Sequence, residues 1–192
     1  MKFFRDFIIP ILVGLAVFAL FQVTFGSFKV HGSSMLPTIE EGDYIMVSKA
    51  TYFFHEPQRG DIIVLRSPQN NSDLIKRIIA LPGDTVEIRD NTVFINGTPL
   101  VEPYTLEPPN YIVPPQEIPT GNYFVLGDNR NNSSDSHRGW TAPRKNIVGK
   151  AWITYWPPYR WDTIEHYKLN ANTQAAEIIE PDLTMKALCP TR

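Results

Sequence analysis

Between Phe7 and Phe25 the chain runs for 19 residues without a charge. In a lipid bilayer such a run can satisfy its backbone only as a helix, with each N–H bonded to a carbonyl of the same segment. At 1.5 Å per residue it would reach about 28 Å, close to the roughly 30 Å of the hydrocarbon layer. Pro10, Gly14, Gln22 and Thr24 are tolerated in a spanning helix. A cleaved leader would carry a shorter apolar region, about 7–15 residues, and an exit of small residues. The exit here, Val23-Thr24-Phe25-Gly26, lacks that pattern. A retained, single span is therefore expected. Lys2 and Arg5 precede it and only Lys29 follows closely. The excess of cations on the near side puts the N-terminus in the cytoplasm and the remainder across the membrane.

The remainder reads as β. There are 17 prolines among 192 residues, and proline sits badly inside helices and central strands. Short apolar runs alternate with turn signals instead. Phe28-Lys29-Val30 leads into Gly32-Ser33-Ser34, and Tyr44 to Val47 follows Gly42-Asp43. Asp61 to Leu65 follows Gly60, and Leu74 to Leu81 stops at Pro82-Gly83. Thr85 to Arg89 and Thr92 to Ile95 flank Asp90-Asn91, and Asn96-Gly97 marks another tight turn, a hairpin signature. Residues 102–120 read as an irregular loop, Tyr123 to Leu126 and Ile147 to Tyr155 as strands, and Thr173 to Ile179 as a short helix. The expected class is mainly β, a coiled antiparallel sheet behind one N-terminal transmembrane helix. The expected division is 1–27 for the cytoplasmic end and anchor, 28–161 for an extracytoplasmic domain with an insertion at about 85–121, and 162–192 for a polar tail.

Composition removes some functions. A net charge of −2 offers no concentrated basic face, so nucleic acid is not an expected partner. Cys189 is the one cysteine, which excludes an intrachain disulfide and a cysteine metal cluster. The polar run Gly127 to Ser136 lacks the order of a calcium loop. No metal or organic cofactor is expected.

Three segments carry chemistry. Gly32-Ser33-Ser34-Met35-Leu36-Pro37-Thr38 puts a hydroxyl in a turn. A serine is a poor nucleophile until a base takes its proton, and Ser34 alone would be only a turn residue. Four histidines, His31, His55, His137 and His166, show no triad context. Lys76, in Leu74-Ile75-Lys76-Arg77-Ile78-Ile79, lies on a strand that otherwise reads as buried. Alternation puts it on one face with Leu74 and Ile78, and Arg77 on the other with Ile75 and Ile79. Burial disfavours the ammonium, and a fall from about 10.4 to about 8 would leave roughly a tenth neutral near pH 7. The bland alternative is a strand lysine whose head reaches water. The third segment is Gly127-Asp128-Asn129-Arg130-Asn131-Asn132-Ser133-Ser134-Asp135-Ser136. It is a loop whose carboxylates could pair with Arg77 or Arg130 and whose Ser133 hydroxyl could orient a neutral lysine.

Together the segments resemble the type I signal peptidases, the bacterial leader peptidase family. The matching pieces are Ser34-Met35-x-Pro37-Thr38, Arg59-Gly60-Asp61-Ile62-Ile63-Val64, Lys76-Arg77-Ile78-Ile79-Ala80-Leu81-Pro82-Gly83-Asp84, and Gly127-Asp128-Asn129-Arg130-Asn131-Asn132-Ser133-x-Asp135-Ser136. They stand in the family's order behind a span, over about residues 5–156. The resemblance implies a membrane-bound serine endopeptidase that removes signal peptides from exported preproteins. It implies Ser34 as acylated nucleophile, Lys76 as general base and Ser133 as the serine that bonds the lysine. Asp128, Arg77 and Asp135 would support the site. Phe28, Val30, Ile45, Val64 and Ile75 would line shallow apolar pockets for an A-x-A-like cleavage site. The implied partners are signal peptides and the bilayer, the membrane being that of a cell or a thylakoid, and the implied state is monomeric.

Two positions depart from the family. Where some members have a serine that helps hold the oxyanion, this chain has Gly32, so the backbone N–H of Ser34, with that of Gly32, is left as donor. His137 stands at a place often held by arginine, and Gly139-Trp140 reverses the usual order, which withdraws the expectation of an ion pair from Asp135. Self-cleaving regulators of the repressor type share a related Ser–Lys core, but the anchor and the lack of a basic helix argue against them. A non-catalytic module that binds exported peptides is the rival outside enzymes.

Overall fold

A computed structural model describes residues 2–169 and 177–179. Helix α1, Lys2–Thr24, contains Pro10 and carries the apolar run. Phe4–Thr24 within it is long and apolar enough to cross a membrane, and none of it is buried in the protein. Phe25, expected to end the span, instead begins a strand.

The strands follow in chain order: β1 (Phe25–Lys29), β2 (Tyr44–Ser48), then the short helix α2 (Thr51–Phe54), β3 (Ile62–Arg66), β4 (Asp73–Ala80), β5 (Thr85–Arg89), β6 (Thr92–Ile95), β7 (Thr98–Pro99), β8 (Val113–Glu117), β9 (Asn122–Leu126), β10 (Ala142–Pro143), β11 (Ile147–Trp156), β12 (Asp162–Thr163), β13 (His166–Lys168) and β14 (Glu177–Ile179). The architecture is a mainly β, curled antiparallel sheet in the order β1-β2-β11-β3-β4-β9-β10, with β12 added to β11. A second sheet, β7-β6-β5-β8, comes between β4 and β9 in the chain, and β13-β14 is a separate pair.

The alternation expected of Leu74 to Ile79 is visible in the packing of β4. Leu74 and Ile78 join one cluster with Ile63 and Leu65, while Ile75 joins another with Val64, Ile45 and Val30. Two expectations fail. Residues 102–120 contain β8, which pairs with β5 despite Pro114 and Pro115. β8 is an edge strand, so one of the two adjacent prolines can turn its missing N–H outward, and both lie in the stretch where the ladder is interrupted, between Val86↔Gln116 and Ile88↔Val113. Glu177–Ile179 is strand paired to His166–Lys168, not helix; the rest of the expected helix, 173–176, lies outside the described residues.

The chain past 161 does not leave the domain at once. Ile164, Tyr167 and Leu169 are buried. His166 bridges two strands, accepting from the Ile62 N–H at Nδ1 (3.2 Å) and facing the Ala151 carbonyl with Nε2 at 2.9 Å. Burial pushes its imidazole down to about 3, so it stays neutral in this bridge.

Candidate active site

The turn after β1 carries Ser34, half-buried, with Met35 and Ile39 driven into the core beneath it. Lys76 comes from the centre of β4, 2% exposed, and its Nζ lies 2.7 Å from Ser34 Oγ. The ammonium also donates to the Ile75 carbonyl at 2.8 Å. Burial, opposed by the charges of Asp135 and Asp128, brings the Lys76 pKa down to about 8. The two candidate residues, 42 apart in the chain, are thus one hydrogen-bonded pair.

A cleft of about 100 Å³ opens on this pair. Phe28, Val30, Ile45, Val64 and Ile75, the five apolar residues expected to line a substrate pocket, all line it beside Ser34 and Lys76. Sequence reasoning missed Lys29, His31, Asp73 and Leu74, which also line it. Ser34 N–H and Gly32 N–H enter no hydrogen bond among the described residues, so both remain free to donate. Gly32 has φ +80° with open space around it. A serine there would be opposed by the backbone conformation rather than by crowding.

The loop after β9 frames Ser34. Asp128 and Arg77, both wholly buried, pair through two hydrogen bonds, Nε to Oδ1 at 2.9 Å and Nη2 to Oδ2 at 2.7 Å. Thr38, just past Ser34, donates to the same carboxylate at 2.6 Å. Arg77 also donates to the Gly60 carbonyl (2.9 Å) and lies 3.9 Å from the centre of the Tyr104 ring. Asn129 N–H donates to the Ser34 carbonyl at 3.0 Å. The Asn129 and Asn132 side chains donate to the Ser33 carbonyl and hydroxyl at 3.1 and 2.9 Å. Both asparagines stand in the quoted loop, but nothing in their spacing says that they clamp the turn carrying Ser34.

Asp135 is fully buried. Burial alone would raise its carboxyl, but hydrogen bonds from His137 and the Gly127 N–H hold it below the usual carboxylate range. His137 Nδ1 is 2.7 Å from Asp135 Oδ1 and its N–H donates at 3.2 Å. The histidine therefore fills the partner's place that its identity seemed to forfeit. Other expectations need correction. Ser133 does not bond Lys76; its hydroxyl is buried beside Asp135 without a partner of good geometry, and the second Lys76 bond goes to Ile75. Arg130 pairs with neither aspartate. Its two bonds, each 2.6 Å, go to Glu102.

Gly127 shows how tightly the frame closes. A Cβ there would collide with the Ser34 carbonyl oxygen and with Ser133 Oγ. The carbonyl belongs to backbone and cannot rotate away. Gly127→Ala should displace Ser34 and lower kcat/KM by about 10²-fold or more, measured on a preprotein substrate.

With this geometry in hand, comparison with known proteins decides the family. Residues 3–156 match the model of the family described as signal peptidase, peptidase S26. The chain belongs to that family of serine peptidases. Among similar proteins, a probable signal peptidase I-1 of Synechocystis is 46% identical over 163 residues, 80% of this chain and 83% of the relative. A signal peptidase I of Leptolyngbya laminosa is 45% identical over 68% of each chain. The thylakoidal processing peptidase 1 of Arabidopsis thaliana is 42% identical over 72% of this chain and 44% of its own. A solved signal peptidase I from Enterococcus faecalis, 37% identical, aligns with TM-score 0.46 over 50% of this chain and 97% of its own. Removal of signal peptides is the reaction of the family, and the peptidase's apolar helix α1 is compatible with membrane anchoring.

Proposed function

We propose that the peptidase cuts exported preproteins after an A-x-A-like site, using Ser34 as nucleophile and Lys76 as general base. The observation that carries this reading is the 2.7 Å contact between Lys76 Nζ and Ser34 Oγ, made by a lysine with 2% exposure. With a pKa of about 8, roughly a tenth of Lys76 is neutral at pH 7 and can accept a proton.

In this mechanism neutral Lys76 takes the Ser34 proton as Oγ attacks the scissile carbonyl. The developing oxyanion is met by the Ser34 N–H, with that of Gly32. The tetrahedral intermediate collapses as the Lys76 ammonium protonates the leaving amine, which leaves an ester on Ser34. Water then attacks the ester, giving a proton to Lys76, and Ser34 regains its proton as the signal peptide departs. Asp128, Arg77 and Asp135 hold the frame. The apolar cleft accepts the small side chains at the first and third positions before the cut. The anchor keeps the N-terminus cytoplasmic and the sheet on the far side, where exported preproteins emerge; Lys2 and Arg5 support that orientation. The chain acts as a monomer with no cofactor.

The test is digestion of a preprotein bearing an A-x-A-like site by the full chain in detergent, with the new N-terminus read by sequencing. Wild type should cut at that site, and Ser34→Ala should not cut at all. The rate at low substrate should climb nearly tenfold per pH unit below about 8 and level off above it. Retained cleavage by Ser34→Ala, or a flat profile down to pH 5, refutes the dyad.

A further inference from the structure

The family match ends at residue 156, yet the next residues turn back onto the domain. β12 pairs with β11, Ile164 N–H donates to the Trp152 carbonyl at 2.9 Å, and the Ile164 side chain joins the cluster of Val30, Met35, Ile39, Ile45 and Val64. Arg160 reaches the segment that carries Ser34. Its Nε and Nη2 donate to Asp43 at 2.9 and 3.1 Å, and its Nη1 donates to Glu40 at 2.5 Å. Asp43 is 1% exposed and serves both limbs of this segment. Its carboxylate accepts the Glu40 N–H at 3.0 Å, and its carbonyl accepts the Val30 N–H at 2.8 Å. Packing does not make this tie redundant. A cleft of about 460 Å³, lined by Pro37, Thr38, Tyr104, Arg160 and Trp161 among others, separates much of the returning chain from the turn.

We propose that Arg160 is a positioning residue for substrate binding, clamping Asp43 so that the Val30 wall of the cleft stays in place. The proposal rests on the reading of that cleft as the seat of the residues before the cut. Arg160 touches no reacting atom. The Ser34 carbonyl is gripped independently by the Asn129 N–H, and the neighbouring Ser33 by the Asn129 and Asn132 side chains. Releasing Asp43 therefore loosens the wall more than the dyad. A planar guanidinium engages both carboxylates at once, which a lysine's point charge does not reproduce.

Full-length wild type, Arg160→Met and Arg160→Lys are compared in detergent on the same preprotein. A small β-lactam-like acylating probe measures Ser34 reactivity without filling the cleft. Arg160→Met should raise KM about tenfold, equivalent to about 1.4 kcal/mol, with kcat and the probe's acylation rate within about twofold. Arg160→Lys should recover less than half of that change. An unchanged KM overturns the proposal. So does a fall in kcat and probe acylation together with a lowered unfolding midpoint, which marks a merely structural brace. If wild type fails to cut the preprotein, the cleft reading itself falls, an outcome distinct from a wild type that cuts and a variant that matches it.

Discussion

Lys76→Met should make the fold more stable at pH 7 while abolishing cleavage. The folded pKa of about 8 against an ordinary 10.5 means that the unfolded chain holds a proton which the folded chain gives up early. Between about pH 8 and 10.5 the unfolded state therefore binds more protons, and stability rises with pH across that window. Below pH 8 the folded state bears the whole cost, about 3 kcal/mol at 1.36 kcal/mol per unit. Methionine is apolar and of similar length, so it removes that cost. It also leaves the Ile75 carbonyl and Ser34 hydroxyl without their Lys76 bonds, which returns about 1 kcal/mol each. A net gain of about 1–2 kcal/mol at pH 7 is expected; because wild type recovers about 1.4 kcal/mol per pH unit above 8, the gain should vanish at about pH 9 and turn into a loss by pH 10. Urea unfolding at pH 7 and at pH 10 measures both points. The activity loss should be about 10⁴-fold. A variant less stable than wild type at pH 7 would show that Lys76 is not held against its own charge.

The second large effect is at Arg77. Its partner Asp128 is wholly buried, and Arg77→Met leaves that carboxylate, among the described residues, with only the Thr38 hydroxyl. Breaking a buried pair from one side costs about 3–5 kcal/mol, because the remaining charge has lost its counterion and cannot reach water. Arg77→Met/Asp128→Leu should recover most of the lost stability, as apolar replacement of both partners often does. Activity should not return, since Thr38 and the Asn129 turn would still lack their anchor. Chemical unfolding of the two singles and the double closes a mutant cycle. Additive losses would mean that the pair does not act as a unit.

What the sequence could reveal divides by range. Helix α1 and the strands up to β6 follow from local runs and turn residues, and their predicted bounds lie within a few residues of those observed. β8 was hidden because two prolines read as a breaker, and its place at a sheet edge with a register shift opposite them makes them harmless. Ser34 and Lys76 could be named through ordered motifs, whereas their 2.7 Å contact is a product of the curl of the sheet. The Arg130–Glu102 pair crosses from the loop after β9 to a segment that looked irregular, and no local pattern links them. His137 is the reverse case. Its identity argued against a partner for Asp135, but an imidazole two residues away reaches that carboxylate as well as a longer side chain would. Past 161 a polar composition concealed Ile164, Tyr167 and Leu169, whose spacing is too sparse to register as a strand.

Helix α1 passes into β1 without a single intervening residue, Thr24 to Phe25, and the Thr24 carbonyl is tied to the Lys49 N–H at 2.8 Å. Phe28, on the cleft wall, is three residues further on, about 10 Å along a strand. With α1 spanning as proposed, the joint leaves the cleft no slack to rise or fall relative to the bilayer. The peptidase would then work as a fixed gauge. It would read not only which side chains precede a bond but how far that bond stands from the lipid, so a matching sequence held at the wrong height would pass uncut.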